Sequence, residues 1–208
     1  MPRKSLILIL AVLCLAGCST TRQERSKIAA ASMRDVNQML AKGAEQTVAV
    51  QAAAKTLAQV PAGDIRGAYE RYSKEARKLR ALAADARDQG QAMRKRSKSY
   101  FAKWEKELAQ ISNSDLKQMS RERQALLNSE YGEISAAMNA LNQSYTACEK
   151  TLTDIEKFLG NDLTPTGVRL AKPHLQRLDR ETDAVLTGIR KAQAAISHLA
   201  DVLKPRYT

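Results

Sequence analysis

The chain has 208 residues, 44% of them hydrophobic but only 4% aromatic, with nine glycines, five prolines and a formal charge of +12. That length fits one domain or one elongated bundle and is too short for two ordinary domains, and the aromatic-poor, aliphatic balance favours packed helices over a sheet-built core. A surface so basic attracts anionic partners, and the export signal at the amino terminus removes nucleic acid from the expected ones.

Residues 2–4 (Pro-Arg-Lys) are basic, Leu6 to Leu13 are apolar, and Leu15-Ala16-Gly17-Cys18 follows. This order is that of a signal peptide closed by a lipidation box. The expectation is removal of residues 1–17 and acylation of Cys18, several acyl chains giving the stable anchoring that one chain does not. The apolar run falls short of the roughly 20 residues a spanning helix needs. Loss of Arg3 and Lys4 leaves a charge of +10. Ser19 rather than an aspartate follows the cysteine, and by resemblance to enteric lipoproteins this implies the outer membrane, on its periplasmic side. Cys14 leaves with the signal, so Cys148 is the one free thiol expected in the mature chain, without an intramolecular disulfide.

Residues 18–27 are polar and are expected to form the lipidated start and a short tether, with the bundle over 28–208. From about 27 to 59 the pattern Ala29, Met33, Val36, Leu40, Gly43, Thr47, Val50, Ala54, Leu57 repeats at 4-3 spacing. Such spacing marks a bundle seam, here a thin one of small residues that permits close approach. Pro61, Gly63 and Asp64 interrupt it, Asp64 being a good N-cap for the next helix. A connection this short joins antiparallel neighbours.

The second helix is predicted over about 65–111, with its seam on Ile65, Tyr69, Tyr72, Ala76, Leu79, Ala83, Ala86, Gly90, Met93, Ser97, Tyr100, Trp104 and Ile111. It spans roughly 70 Å if fully helical. With the chain tethered at Cys18, an upright bundle is expected to carry the following turn and Trp104 far from the membrane. Ser112-Asn113-Ser114-Asp115 makes that turn, with Ser114 or Asp115 opening the third helix. The third seam, from Leu127 through Tyr131, Ile134, Met138, Leu141, Tyr145, Cys148, Leu152 and Ile155 to Leu159, is the clearest. Gly160 is read as its stop, Thr164 as the next cap and Pro165 as a first helical residue. Pro173 predicts a short helix near 165–171 and a separate one over 173–203, ended by Pro205. The fold class is therefore all-α: an elongated antiparallel bundle of coiled-coil hairpins with about four helices.

Tyr100-Phe101-Ala102-Lys103-Trp104-Glu105-Lys106-Glu107-Leu108, then Ile111-Ser112-Asn113 and Leu116, resembles the F-x-x-W-E-x-E-L and Y/I-S-N-x-x-L run of the bacterial domain-of-unknown-function family 2959. Gly63-Asp64-Ile65, Tyr69, Ser120 to Gln124, Tyr131 and Ala137-Met138 extend the likeness over most of the mature chain. The resemblance implies a helical fold and an envelope location, and it carries over no catalytic or binding residue.

Chemistry is sparse. Cys148 sits in a seam position, where a small hydrophobe suits better than a thiolate, and an intermolecular disulfide is the alternative. His174 and His198 lie 24 positions apart without metal-ligand spacing, so no metal or cofactor is expected. No phosphate-binding glycine loop or nucleophile elbow is present, and Glu105 and Glu107 point apart on one helix. No catalytic residue, and hence no enzyme, is expected. Charge is the remaining signal: between Arg66 and Lys106 there are 13 basic residues against five acidic, densest at Arg94, Lys95, Arg96 and Lys98. This stripe is either a solvated face or a surface for lipid phosphates, glycan carboxylates or an acidic protein. The expectation is a non-enzymatic envelope lipoprotein acting as scaffold or adaptor with an envelope protein partner. The second reading is a module that binds anionic lipid or glycan.

Overall fold

Helices account for nearly all the backbone described by the computed structural model, which covers Gly17 to Leu203, with side chains from residue 31 onward except Ser32. The signal-peptide reading, the Cys18 side chain and Pro205 lie outside the described residues. Four helices follow one another: α1 (Gly17–Gln59), α2 (Ile65–Ala109), α3 (Ser114–Asn161) and α4 (Pro165–Leu203), with a 3-10 turn, Ala62–Asp64, between the first two. They form the expected all-α antiparallel bundle. Going round it, α1 packs on α2 and α4, and α3 packs on α4 and α2.

The seams become the core. Met33, Val36, Leu40, Val50, Ala54 and Leu57 of α1 share one core with Ile65, Tyr72, Ala76 and Leu79 of α2, Leu152, Ile155 and Leu159 of α3, and Leu175, Leu178, Val185 and Ile189 of α4. Each such large aliphatic side chain contributes about 1.5–3 kcal/mol by leaving water. Two buried threonine hydroxyls are satisfied within their own helices: Thr47 donates to the Gly43 carbonyl at 2.7 Å and Thr182 to that of Asp179 at 2.7 Å. Polar ties fix the register. Gln46 donates to the Glu75 carboxylate at 2.7 Å and its carbonyl at 3.0 Å, and Lys55 pairs with Asp179 at 3.0 Å. Tyr72 donates to the Leu152 carbonyl at 3.3 Å, and Arg123 to that of Val202 at 2.9 Å.

Two caps have clear causes. The Asn113 side chain accepts from the Leu116 amide at 3.0 Å, so that α3 opens at Ser114 as expected, and Thr164 accepts from Gly167 at 3.1 Å ahead of Pro165. Asp64 stands before α2 but makes no cap bond; its carboxylate pairs with Arg71 at 3.0 Å instead.

Four expectations are corrected. The backbone is helical from Gly17, so the 18–27 segment continues α1 rather than forming a tether; it holds no glycine or proline after Gly17 that would break a helix. Gly160 does not stop α3, which runs on through Asn161 in right-handed geometry. A Cβ there would stand 3.4 Å from the Tyr69 hydroxyl, which donates to the Glu156 carbonyl at 3.0 Å, so the glycine permits a close approach. Pro173 does not divide α4. It lies on the exposed side, where the Arg169 carbonyl that loses its donor can turn to water, and the buried row Val168, Ala171, Leu175, Leu178 passes straight across it.

The fourth correction concerns the ends. Because α1 and α2 are antiparallel and in register through Gln46 and Glu75, the start of α1 falls level with the last turns of α2. The α2–α3 turn is therefore at the Cys18 end of the bundle and not at the opposite one. The turns on either side of the α1–α2 and α3–α4 junctions make the other end.

Candidate functional site

Exposed apolar side chains gather at the Cys18 end. Leu116 is 58% exposed and Met119 65%, both in the first turns of α3, with Tyr100 and Leu126 nearby and also exposed. Beneath them an aromatic clasp ties α2 to α3. Tyr100 meets Trp104 edge-on with centroids 5.6 Å apart, Phe101 stacks on Trp104 at 6.4 Å, and Tyr131 of α3 meets Phe101 edge-on at 5.5 Å. The Trp104 indole donates to Ser120 across the turn at 3.0 Å. The Phe-x-x-Trp spacing, one helical turn, puts both rings on the side facing α3.

Charge divides along α2. Near the α1–α2 junction three of its cations are paired: Arg71 with Asp64, Lys78 with Glu75 at 2.9 Å, and Arg80 with Glu156 at 2.5 Å. Partial burial works against the Arg80 charge, but Glu156 outweighs it and holds the guanidinium above its ordinary value. The Glu75 carboxyl is held below its ordinary value by hydrogen bonds from Gln46 and Lys78. Towards the Cys18 end Arg94, Lys95, Arg96 and Lys98 are all exposed. Arg94 donates to Asn139 at 3.3 Å, while Lys95 and Lys98 form no ion pair with any described residue. From Arg94 to Arg123 there are nine basic residues and four acidic ones, so this end is both cationic and apolar.

Elsewhere the predicted candidates disperse. Cys148 is fully buried, and burial first, then Glu181 and Glu149, push its thiol up to about 12. His174 is exposed beside Asp154 and Phe158, and His198 is bonded to Glu130 at 2.7 Å. Among the described residues no three His, Cys, Asp or Glu side chains converge as metal ligands, and no helix is long and apolar enough to cross a membrane.

One feature escaped the sequence reading. Between Tyr145 and Met93 the four helices surround an elongated cavity of about 270 Å³, contributed to by Leu40 and Gly43 of α1, Ala83, Ala86 and Gly90 of α2, Met138 and Leu141 of α3, and Ile189 of α4. Its signal was the run of small residues Ala83, Ala86 and Gly90 at the α2 seam, which marks seam positions without showing a gap.

The family model described as "Protein of unknown function (DUF2959)" matches residues 21–202. The chain belongs to this family. No curated protein and no solved structure matches it. The match to the DUF2959 family takes in the stripe, the aromatic clasp and the cavity, and it begins after Cys18.

Proposed function

We propose that this DUF2959 protein is a non-enzymatic lipoprotein of the bacterial envelope, held at the outer membrane by acyl chains on Cys18 and working through its helix surfaces as a scaffold or adaptor. Support comes from one observation above all: the start of α1, the stripe Arg94–Lys98 and the exposed Leu116 and Met119 share one end of the bundle. That end suits a bilayer surface, cations meeting lipid phosphates and apolar side chains entering the headgroup layer. The same observation favours the second reading as part of the first, with the stripe holding anionic lipid or glycan. The opposite end keeps exposed Phe158 (41%) and Leu170 (59%) clear of the membrane, available to an envelope protein.

Cys18→Ala is expected to abolish acyl labelling and to release the protein from the membrane fraction. A variant that stays tightly bound sinks the anchor. Neutralising Arg94, Lys95, Arg96 and Lys98 to Gln is expected to remove salt-sensitive binding to anionic vesicles, at up to about 1 kcal/mol for each cation near the surface. Unchanged vesicle binding overturns the stripe's role, and a protein partner recovered by crosslinking in cells is the expected result for the adaptor.

A further inference from the structure

We propose that the cavity between the four helices is a binding site for one acyl chain carrying an anionic head, the chemistry shared by a free fatty acid and a lysophospholipid. This goes beyond the surface reading above and does not depend on acylation of Cys18. The walls are aliphatic and soft: Leu40, Leu79, Met93, Met138, Leu141 and Ile189. Its volume of about 270 Å³ exceeds the roughly 150 Å³ at which an aliphatic-lined cavity already takes benzene. The lining runs on α2 from Leu79 to Arg94, about 22 Å at the helical rise, so the space is long rather than round.

The space is left by sequence. Ala83, Ala86 and Gly90 occupy the seam positions of α2 that should fill it, and a Cβ built on Gly90 meets nothing within 4 Å. Neighbouring helices have not closed over these small residues, and Leu79, Met93 and Tyr145 line the space beside them.

The mouth is polar and of one sign. Arg87 and Arg94, two helical turns apart on one face of α2, are exposed at the rim with Asn139 and Asn142, and no carboxylate lines the cavity among the described residues. Glu149 lies outside the lining and bonds Arg87 at 3.3 Å, leaving Arg94 as the stronger site for an anionic head. An independent sign of a missing partner comes from Tyr145. It lines the cavity, is 5% exposed, lies under the Arg87 guanidinium at 5.1 Å, and its hydroxyl has no hydrogen-bond partner. A buried unpaired hydroxyl is costly, and an anionic oxygen reaching it beside the Arg87 guanidinium relieves it.

The test uses isolated membranes containing the full chain, irradiated with diazirine-bearing palmitate, with adducts mapped by mass spectrometry. Adducts are expected on residues 82–94 and 135–145, and unlabelled palmitate or lysophosphatidic acid is expected to compete them away. Whichever competes at lower concentration identifies a carboxylate or a phosphate as the head. Arg94→Gln is expected to lower labelling about tenfold through loss of a charge-assisted bond. Gly90→Leu, with its side chain in the cavity, is expected to abolish it while the helical circular dichroism is unchanged. Adducts confined to outward faces, or labelling of the wild type that no competitor reduces, overturn the site whatever the variants do. Equal labelling by diazirine-bearing hexadecanol overturns the assignment of an anionic head.

Discussion

Cys148 is the one free thiol among the described side chains, and its surroundings deny it a reactive role. It lies one turn from Tyr145 and from Leu152 in the α3 seam, with none of its surface exposed and its thiol pushed up to about 12, so at neutral pH it is an uncharged sulfur without access to reagent. Iodoacetamide at pH 8 is expected to leave the peptide containing Cys148 unmodified in the native protein and to label it on unfolding in guanidinium. Rapid native labelling would contradict the buried assignment, and an intermolecular disulfide through Cys148 would contradict it too. The position was legible because a heptad place names the neighbours of a residue. Tyr145 was legible only as a core aromatic; that its hydroxyl lacks a partner depends on what the other three helices bring to it, which spacing along one helix does not encode.

Helix boundaries followed the same logic at the scale of elements. The α1 and α3 seams were read at mostly buried positions, because a face that repeats at 4-3 spacing must be covered by something. Pro173 misled because its local penalty is large, about 3 kcal/mol in a helix interior, yet Val168, Ala171, Thr182 and their neighbours bury one continuous row on both sides of it. Pro173→Ala is therefore expected to stabilise the protein by about 2 kcal/mol, the helical gain less the entropy regained by the unfolded chain. Urea unfolding with an unchanged m-value checks this, and equal or lower stability would mean that the proline is needed for the course of α4. The small residues of α2 were legible as seam positions but not as a gap. Ala83, Ala86 and Gly90 can let two helices approach or leave a hole between them, and only the spacing set by larger residues elsewhere decides which. Here it leaves a hole.

The direction of the whole bundle follows from its odd-even order and not from any residue, and it changes what the anchor implies. With α1 running away from Cys18, α2 returns to it, so the basic stripe, the α2–α3 turn and Trp104 come back to the anchored end. Phe158 and Leu170 lie at the other end, and the helix from Leu116 to Phe158 in α3 makes that separation roughly 63 Å. Trp104 is the only tryptophan in the chain, which makes the arrangement measurable. In vesicles containing lipids with a nitroxide on the headgroup, the fluorescence of the acylated full-length protein is expected to be strongly quenched. A second protein, Trp104→Phe combined with Phe158→Trp, moves the reporter to the far end and is expected to show almost no quenching. That pair of results describes an upright bundle with its cationic, apolar end on the bilayer, where Leu116 and Met119 enter the headgroup layer and the mouth of the cavity lies within about two turns of the stripe. Quenching of both reporters describes a bundle lying flat, with the stripe still against phosphates but no free end for a partner. Quenching at residue 158 alone would invert the bundle and, with it, the proposed role of the stripe.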